Sequence, residues 1–275
     1  MSTFGERLRV AMDERGPLCA GIDPHASLLR AWGYDDDAAG LERFTMTAVE
    51  ALAGTVAAVK PQSAFFERHG SRGIAVLEKA VSAARQLGAL VILDVKRGDI
   101  GSTAQAYADA YLDQSSPLAV DAITASPFLG VGSLDPMLDT AERHGAGVFA
   151  LALTSNPEGP QVQHARTVDG ATVAGTVLDA LRSRNSGADP LGSFGAVVGA
   201  TIGRTEEDLA INGPLLVPGI GAQGGAPDDV RRIFGSAVRN VLPSSSREIL
   251  AVGPDAAELR DAARRANETF LELVP

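Results

Sequence analysis

Short runs of β-branched and aliphatic residues alternate along this chain with longer amphipathic segments. Apolar runs bounded by turn residues are typical of buried strands, and strands alternating with helical patterns are typical of βαβ units. The predicted strands are Leu18–Asp23, Val56–Lys60, Ala89–Lys96, Ala119–Thr124, Gly147–Thr154, Phe194–Gly199, Pro214–Pro218 and Val238–Leu242.

The segments between these strands predict amphipathic helices, and a further helix is expected at the N-terminus. The predicted helices are Leu41–Ala53, Ile74–Leu87, Ser102–Asp113, Ser133–His144, Asp228–Phe234 and a final one at Asp255–Leu273. Eight strands alternating with helices favour an α/β fold, a single (β/α)8 TIM barrel. Such barrels hold about 200–250 residues in one core, so we expect residues 1–275 to form one domain.

The segment Pro157–Pro190 is longer than a barrel connection requires. It contains one helical stretch at about Ala171–Arg184, flanked on both sides by glycine, proline and polar residues. We interpret it as an elaborated connection after the fifth strand, serving either as a lid or as a subunit contact.

The charge balance limits the partners of the chain. The net charge of −10 and the pI of about 4.9 disfavour nucleic acid and anionic membranes, which attract basic surfaces. No apolar run approaches the length of about 18 residues that a membrane span needs, and charged residues interrupt the N-terminal segment. Cys19 is the one cysteine, so an internal disulfide and a cysteine-built zinc site are excluded. We expect a cytoplasmic protein.

Charged residues gather where two neighbouring strands end. Asp94 and Lys96 lie two apart at the end of the third predicted strand, so their side chains point to the same face. Lys60 ends the second strand, and Asp99 follows in the loop after the third. One reading is an ion pair that closes the top layer of the barrel. The alternating array of two lysines and two aspartates favours a functional site, because perturbed ionisation clusters at such sites.

Such an array suits one class of chemistry. A lysine held between carboxylates stays protonated and can deliver a proton to a developing carbanion. A fixed carboxylate beside it disfavours a bound substrate carboxylate. Loss of CO₂ with protonation at the same carbon fits these parts.

A glycine-rich segment follows the seventh predicted strand. Gly219, Gly221 and Gly224 match a dinucleotide-binding pattern, but the pattern lies too late in the chain for that role. Loops after the seventh and eighth strands of a barrel often bind phosphate, and glycine lets backbone N–H groups approach an anion. Arg247 offers a guanidinium for the same phosphate, or is an ordinary surface arginine. Asp23 could accept hydrogen bonds from sugar hydroxyls, or simply open a turn.

Together these motifs resemble orotidine 5′-phosphate decarboxylase. They are Asp94-x-Lys96-x-x-Asp99-Ile100, Lys60 upstream, and Pro218-Gly219-Ile220-Gly221-Ala222-Gln223-Gly224-Gly225 downstream. The stretch Lys60-Pro61-Gln62-Ser63-Ala64-Phe65-Phe66-Glu67 is similar to the longer bacterial subclass of that family. The resemblance runs from Asp23 to Arg247 and implies decarboxylation of orotidine 5′-monophosphate to UMP, the last step of de novo pyrimidine biosynthesis.

The resemblance implies a role for each member of the charged array. Lys96 would protonate C6 of the pyrimidine, and Asp94 would lie beside the departing carboxylate, acting by ground-state stress or by orienting the lysine. Lys60 would complete the array of four charged residues and contact the ribose. Asp99 and Thr103 would reach the partner's active site, which requires a homodimer.

The resemblance also implies substrate-binding residues. Asp23 would bind ribose hydroxyls, Ser155 would meet the pyrimidine ring, and Gln223 would bridge base and phosphate. Arg247 would bind the phosphate, although the short-form family typically has Gly-Arg where this chain has Ser246-Arg247.

The sequence contains no evident metal, thiamine or pyridoxal site, so we expect no cofactor, and electrostatic preorganisation would supply much of the rate enhancement. Two rivals stay open. Hexulose-phosphate synthase, an aldolase, shares the Asp-x-Lys-x-x-Asp pattern but uses Mg²⁺. A non-catalytic phosphometabolite-binding barrel with a degenerate site is the other, although binding alone hardly needs this charge pattern.

Overall fold

Parallel strands close into a barrel in the computed structural model, which describes residues 2–220 and 227–271. The strands are β1 Cys19–Ile22, β2 Ala58–Pro61, β3 Leu90–Arg97, β4 Ala122–Ala125, β5 Gly147–Leu153, β6 Phe194–Val198, β7 Leu215–Pro218 and β8 Val241–Ser245. Each is hydrogen-bonded to the next in sequence order, and β8 returns to β1 through Cys19↔Ser244 and Ala20↔Ser245. The predicted (β/α)8 barrel is confirmed.

Helices connect the strands and flank the barrel. They are α1 Phe4–Arg15, α2 Ala26–Ala31, α3 Ala38–Leu52, α4 Ala64–Glu67, α5 Gly70–Gln86, α6 Gly101–Leu112, α7 Asp135–His144, α8 Pro160–Gln163, α9 Val173–Arg184, α10 Pro227–Phe234, α11 Arg247–Leu250 and α12 Ala256–Leu271. Turns of 3₁₀ helix at Val131–Leu134 and Gly235–Asn240 precede α7 and β8. Over the described ranges, no helix is long and apolar enough to cross a bilayer.

The N-terminal helix closes one end of the barrel. Phe4 and Leu8 of α1 belong to the apolar cluster that fills the barrel interior. The ring of Phe4 meets Phe149 of β5 edge-on, with ring centroids 5.9 Å apart. Gly147 makes this approach possible, because a Cβ there would lie 2.3 Å from Phe4 Cδ1. This end is packed with side chains, so the charged residues lie toward the other end, where the strands finish.

Six of the eight predicted strands agree with the structure to within two residues at both ends, and two do not. The prediction for the eighth strand, Val238–Leu242, is wrong at both ends, since Val238 lies in a 3₁₀ turn and β8 runs to Ser245. Pairing decides its start, because Val241 is the residue that faces Leu215 of β7. The fourth strand begins at Ala122 rather than Ala119, since residues 119–121 hydrogen-bond to an earlier helix and to β3 as they enter the barrel.

The long connection after β5 contains α8, an antiparallel bridge between Arg166 and Thr172, and α9. Asn185 ends α9 and is almost fully buried. Its amide nitrogen donates to the carbonyls of Phe194 (2.7 Å) and Ile211 (3.0 Å), and its oxygen accepts from the Phe194 N–H (3.1 Å). One side chain thus joins the connection to the start of β6 and to the segment before β7.

Replacement of Asn185 by alanine should lower the free energy of unfolding by about 2–4 kcal/mol, because three buried backbone groups lose their partner. Urea denaturation measures this difference. The control Asn212→Gly removes an amide that bonds carbonyls nearer the surface, at a φ of +51° that glycine tolerates, and should cost less. Equal costs for the two variants would contradict the assigned role of Asn185.

Candidate active site

The regular pairing of β3 with β4 is interrupted where the charged residues of β3 lie. Leu93 pairs with Ile123 and Arg97 with Ala125, so β3 advances four residues while β4 advances two. This β-bulge re-aims side chains, as bulges beside functional sites commonly do. Lys96 lies within it with a φ of +45°, a backbone conformation that costs a non-glycine residue about 1–3 kcal/mol.

The carboxylate of Asp94 is held between two lysine ammonium groups. Lys60 Nζ lies 2.9 Å from its Oδ2, and Lys96 Nζ lies 2.5 Å from its Oδ1. Thr124 of β4 donates its hydroxyl to the same Oδ1 at 2.8 Å. The side chain of Lys60 is only 9% exposed, whereas that of Lys96 is 45% exposed and accessible to a bound molecule.

These contacts govern the ionisation of the pair. Burial alone would raise the pKa of Asp94, but the charges and hydrogen bonds of Lys60 and Lys96 outweigh it and lower that pKa to about 2. Burial likewise opposes the charge on Lys60, yet the carboxylates of Asp94 and Asp23 raise its pKa above the ordinary value. Both groups are therefore charged at neutral pH.

A cavity of about 390 Å³ opens above these charges. Three of its lining residues come from the loop after β5 and from the helix that follows: Thr154, Asn156 and Gln163. The remaining lining residues are Lys60, Asp94, Lys96, Thr124, Leu151, Val197, Leu216 and Pro218. The cavity thus combines a charged base with apolar and amide walls, a composition suited to a small polar ligand.

Polar groups without partners lie beside the charged cluster. Asp23 Oδ1 and Ser246 Oγ are both buried and make no hydrogen bond within the described residues. Gly21 lies between the two side chains and leaves them room, because a Cβ at this position would lie 2.7 Å from Ser246 Cβ and 3.4 Å from Asp23 Oδ2. Buried polar atoms are normally paired, so these two are free to bind a ligand hydroxyl.

Cys19 lies below the charges in the barrel interior. Burial raises the pKa of its thiol to about 12, and the nearby charge of Lys60 only partly offsets the burial. The group is therefore a neutral thiol at physiological pH.

Two of the predicted site residues stand away from the cavity. Asp99 accepts a hydrogen bond from the Ile100 N–H at 2.8 Å, and it makes no ion pair with either lysine in the described chain. Thr103 is exposed in the first turn of α6. Among the described residues, the structure therefore brings together Lys60, Asp94 and Lys96, but not Asp99.

The predicted substrate-binding residues lie on different loops at the C-terminal ends of the strands. Ser155 is exposed between cavity residues Thr154 and Asn156, and Gly219 follows β7 with a φ of +94°. Arg247 is exposed at the start of α11, and its guanidinium makes no hydrogen bond to the described residues. Gly221, Gln223 and Gly224 lie outside the described residues.

Sequence reasoning missed two contributors to the cavity. Thr124 gave no signal, because it ends an apolar run and its contact depends on the bulge in the neighbouring strand. Gln163 lies in the long connection, where its amide accepts from the Thr154 N–H at 2.9 Å and donates to the Thr154 hydroxyl at 2.6 Å. The unusual length of the connection drew attention to the segment as a whole, but it gave no indication that Gln163 lines the cavity.

Substitution of Asp94 by asparagine should lower the pKa of Lys60, because burial then acts with less opposing charge. Titration of the lysine ε-carbon signals by NMR measures this change, with exposed Lys79 as an internal reference. An unchanged pKa for Lys60 would contradict the pairing.

The same pair makes stability depend on pH. The lowered pKa of Asp94 stabilises the fold above the ordinary carboxyl value of 3.8, and this contribution is lost as the pH falls toward 2. The raised pKa of Lys60 stabilises the fold below the ordinary 10.5, and that contribution is lost at higher pH. We expect Asp94→Asn to flatten the acidic limb of the stability profile.

Comparison with known proteins assigns the chain to a family. The model of the orotidine 5′-phosphate decarboxylase / HUMPS family matches residues 16–262. This chain is 65% identical to a Nocardioides sp. protein named orotidine 5′-phosphate decarboxylase, over 98% of both chains. It is 63% identical to a Streptomyces coelicolor protein of the same name, over 96% of both chains.

A solved structure gives the same assignment. The crystal structure of a Streptomyces avermitilis protein assigned as orotidine 5′-phosphate decarboxylase is 61% identical, with a TM-score of 0.96, and the match covers 100% of this chain and 96% of that one. The chain belongs to the orotidine 5′-phosphate decarboxylase / HUMPS family.

Proposed function

We propose that this protein decarboxylates orotidine 5′-monophosphate to UMP and CO₂, with Lys96 as the proton donor and without a cofactor. One observation carries the proposal: a carboxylate fixed between two ammonium groups at the base of a small cavity. The names of the relatives that match nearly the full length of this chain support the same substrate. UMP formation would be the last step of de novo pyrimidine biosynthesis, in the cytoplasm.

The proposed step uses the charges in sequence. The bond between C6 and the carboxylate carbon breaks, CO₂ leaves, and the electron pair remains on C6. The ammonium of Lys96 then transfers its proton to C6 and is reprotonated from solvent. The exposed part of Lys96 faces the cavity. Lys60 is buried against Oδ2 of Asp94 and is therefore less suited to donate the proton to C6.

Electrostatics would supply much of the barrier reduction. Enzymes typically lower barriers by about 8–23 kcal/mol, and charges fixed before the reaction need no reorganisation during it. The pKa of Asp94, lowered to about 2, keeps the carboxylate charged beside the leaving group. That charge disfavours the substrate carboxylate and stabilises the ammonium of Lys96.

The distal part of the substrate would be bound at the strand ends. The free buried oxygen of Asp23 fits a ribose hydroxyl, and Ser155 fits the pyrimidine edge. We assign the phosphate to Gly219, Gly221, Gly224 and Arg247, with Gln223 bridging base and phosphate. Binding energy from a group far from C6 can drive loop closure and organise the reacting end.

We infer a homodimer in which Asp99 and Thr103 complete the partner's site. Asp99 has no role in its own cavity, and its neighbour Ile100 is 63% exposed. Phe128 and Leu129, in the loop after the adjacent strand β4, are 74% and 54% exposed. Exposed apolar side chains on neighbouring loops are typical of an interface.

The Mg²⁺-dependent aldolase stays the alternative within the family. The identity of 63–65% to proteins named orotidine 5′-phosphate decarboxylase favours the decarboxylase. No comparable observation favours a binding barrel, and the charge array argues against it.

The function is tested by the ultraviolet absorbance of orotidine 5′-monophosphate mixed with the purified protein. We expect conversion to UMP by the natural protein, no measurable turnover by Lys96→Ala, and normal turnover by the surface control Lys79→Ala. Circular dichroism should find all three folded. An inactive natural protein would overturn the function, and substantial turnover by Lys96→Ala would overturn the proton donor alone.

Loss of the Arg247 guanidinium should mainly weaken substrate binding. We expect Arg247→Ala to raise KM about tenfold to a hundredfold, the worth of one charge-assisted contact. The exposed Arg260 on α12 provides the control Arg260→Ala, which should leave KM unchanged. Binding of orotidine, which has no phosphate, should not respond to either change, and an unaltered KM for Arg247→Ala would remove this residue from the phosphate site.

Mixed dimers test the shared site. Asp99→Ala and Lys96→Ala subunits should each be inactive alone. After random exchange, half of the dimers carry one intact site, so about a quarter of all sites should recover activity. Absence of rescue in a verified mixed dimer would count against the exchange of Asp99 between subunits.

A further inference from the structure

The bulge in β3 leaves a backbone donor that the neighbouring strand does not satisfy with a carbonyl. Between the pairs Leu93↔Ile123 and Arg97↔Ala125, the regular ladder is interrupted. The N–H of Lys96 instead donates to Thr124 Oγ1 at 3.0 Å. The same hydroxyl donates its own hydrogen to Asp94 Oδ1 at 2.8 Å. One side chain of β4 therefore bonds both the backbone of the strained lysine and its carboxylate partner.

We propose that Thr124 is a positioning residue, whose hydroxyl holds Lys96 and Asp94 in their reactive geometry. The geometric part of this inference stands on the contacts alone, and its catalytic part rests on the proposed function. Only a group that accepts and donates at once can make both bonds, which excludes carboxylate, ammonium and apolar side chains at this position. Thr124 is also fully buried, so water does not readily replace it.

The Thr124 hydroxyl offsets the conformational cost of the Lys96 backbone. The φ of +45° at Lys96 is unfavourable for a residue with a side chain and persists only when surrounding contacts fix it. Loss of the Thr124 hydroxyl would leave a backbone N–H and a carboxylate lone pair without their partner. We expect the segment to relax, which would move the Lys96 ammonium away from its position over Asp94.

A second set of contacts braces the other side of the bulge. Arg97 donates to the Val95 carbonyl at 3.3 Å and pairs with Glu67 at 2.5 Å, and Ser63 donates to the same Glu67 oxygen. None of these groups bonds the Lys96 N–H or the Asp94 carboxylate. Within the described chain, the link between those two groups is made by Thr124.

Three variants separate positioning from packing. Thr124→Val keeps the shape and removes the hydroxyl, whereas Thr124→Ser keeps the hydroxyl and removes a methyl group. The control is Thr45→Val, because Thr45 in α3 is equally buried but its hydroxyl has no hydrogen-bond partner in the described chain. Thermal melting identifies any variant that fails to fold.

The first readout is the steady-state kinetics with orotidine 5′-monophosphate. We expect Thr124→Val to lower kcat about tenfold to a hundredfold, the size of effect that misplacement by about 1 Å produces, with KM within about threefold. Thr124→Ser and Thr45→Val should stay close to the natural kcat. A folded Thr124→Val with natural kcat would overturn the catalytic part, and so would a Thr124→Ser variant as impaired as the valine variant.

The second readout needs no substrate. The lysines of this chain are Lys60, Lys79 and Lys96, so selective ¹³C labelling of the ε-carbon gives resolved probes of the site. Thr124→Val should shift the Lys96 signal while the Lys79 signal stays unchanged, and Thr45→Val should shift none of them. An unmoved Lys96 signal would overturn the geometric part. If the natural protein failed to convert the substrate but Lys96 still moved, the function alone would fail.

Should Thr124→Val not fold, Thr124→Ala and Thr124→Ser replace it as a pair. Both remove the methyl group, and they differ only in the hydroxyl. The same kinetic and spectral differences are then expected between them, and their absence would overturn the proposal.

Discussion

The ion pairs of Asp94 with Lys60 and Lys96 hold the side chains of the site in place. The interior of the barrel is apolar, and a charge placed there alone would be costly. The three charges are tolerated because each oxygen of Asp94 meets an ammonium group, and Thr124 adds a hydrogen bond. Removing one member leaves the others uncompensated, so β2, β3 and β4 must keep these residues together.

The two ends of the barrel differ in role: one is packed and stabilises the fold, and the other carries the cavity and its charged residues. At one end α1 packs aromatic and aliphatic side chains into the barrel, and at the other the strands finish in polar loops. The packed end fixes the strands, and the strands in turn fix the charges before any substrate binds. With a net charge of −10, an anionic substrate needs local cations, and Lys60, Lys96 and exposed Arg247 lie at the end where the strands finish.

The alternating pattern of the chain was enough to predict the barrel and the proximity of Lys60, Asp94 and Lys96. These predictions depend on strand order and on side-chain alternation, both of which are local properties. Thr124 could not be found this way, because its two bonds arise from the shift in register between β3 and β4. The place of Asp99 could not be derived either, since it makes no ion pair with the described residues, and the role proposed for it came from family resemblance.

In the proposed function, fixed side-chain charges rather than a bound metal carry the reaction. This is tested by the turnover of protein dialysed against EDTA, with its metal content determined on the same sample by mass spectrometry. We expect the untreated rate at a metal content far below one ion per site, with no increase when Mg²⁺ is restored. A rate that falls with the metal and returns with Mg²⁺ would contradict the proposal and favour the aldolase.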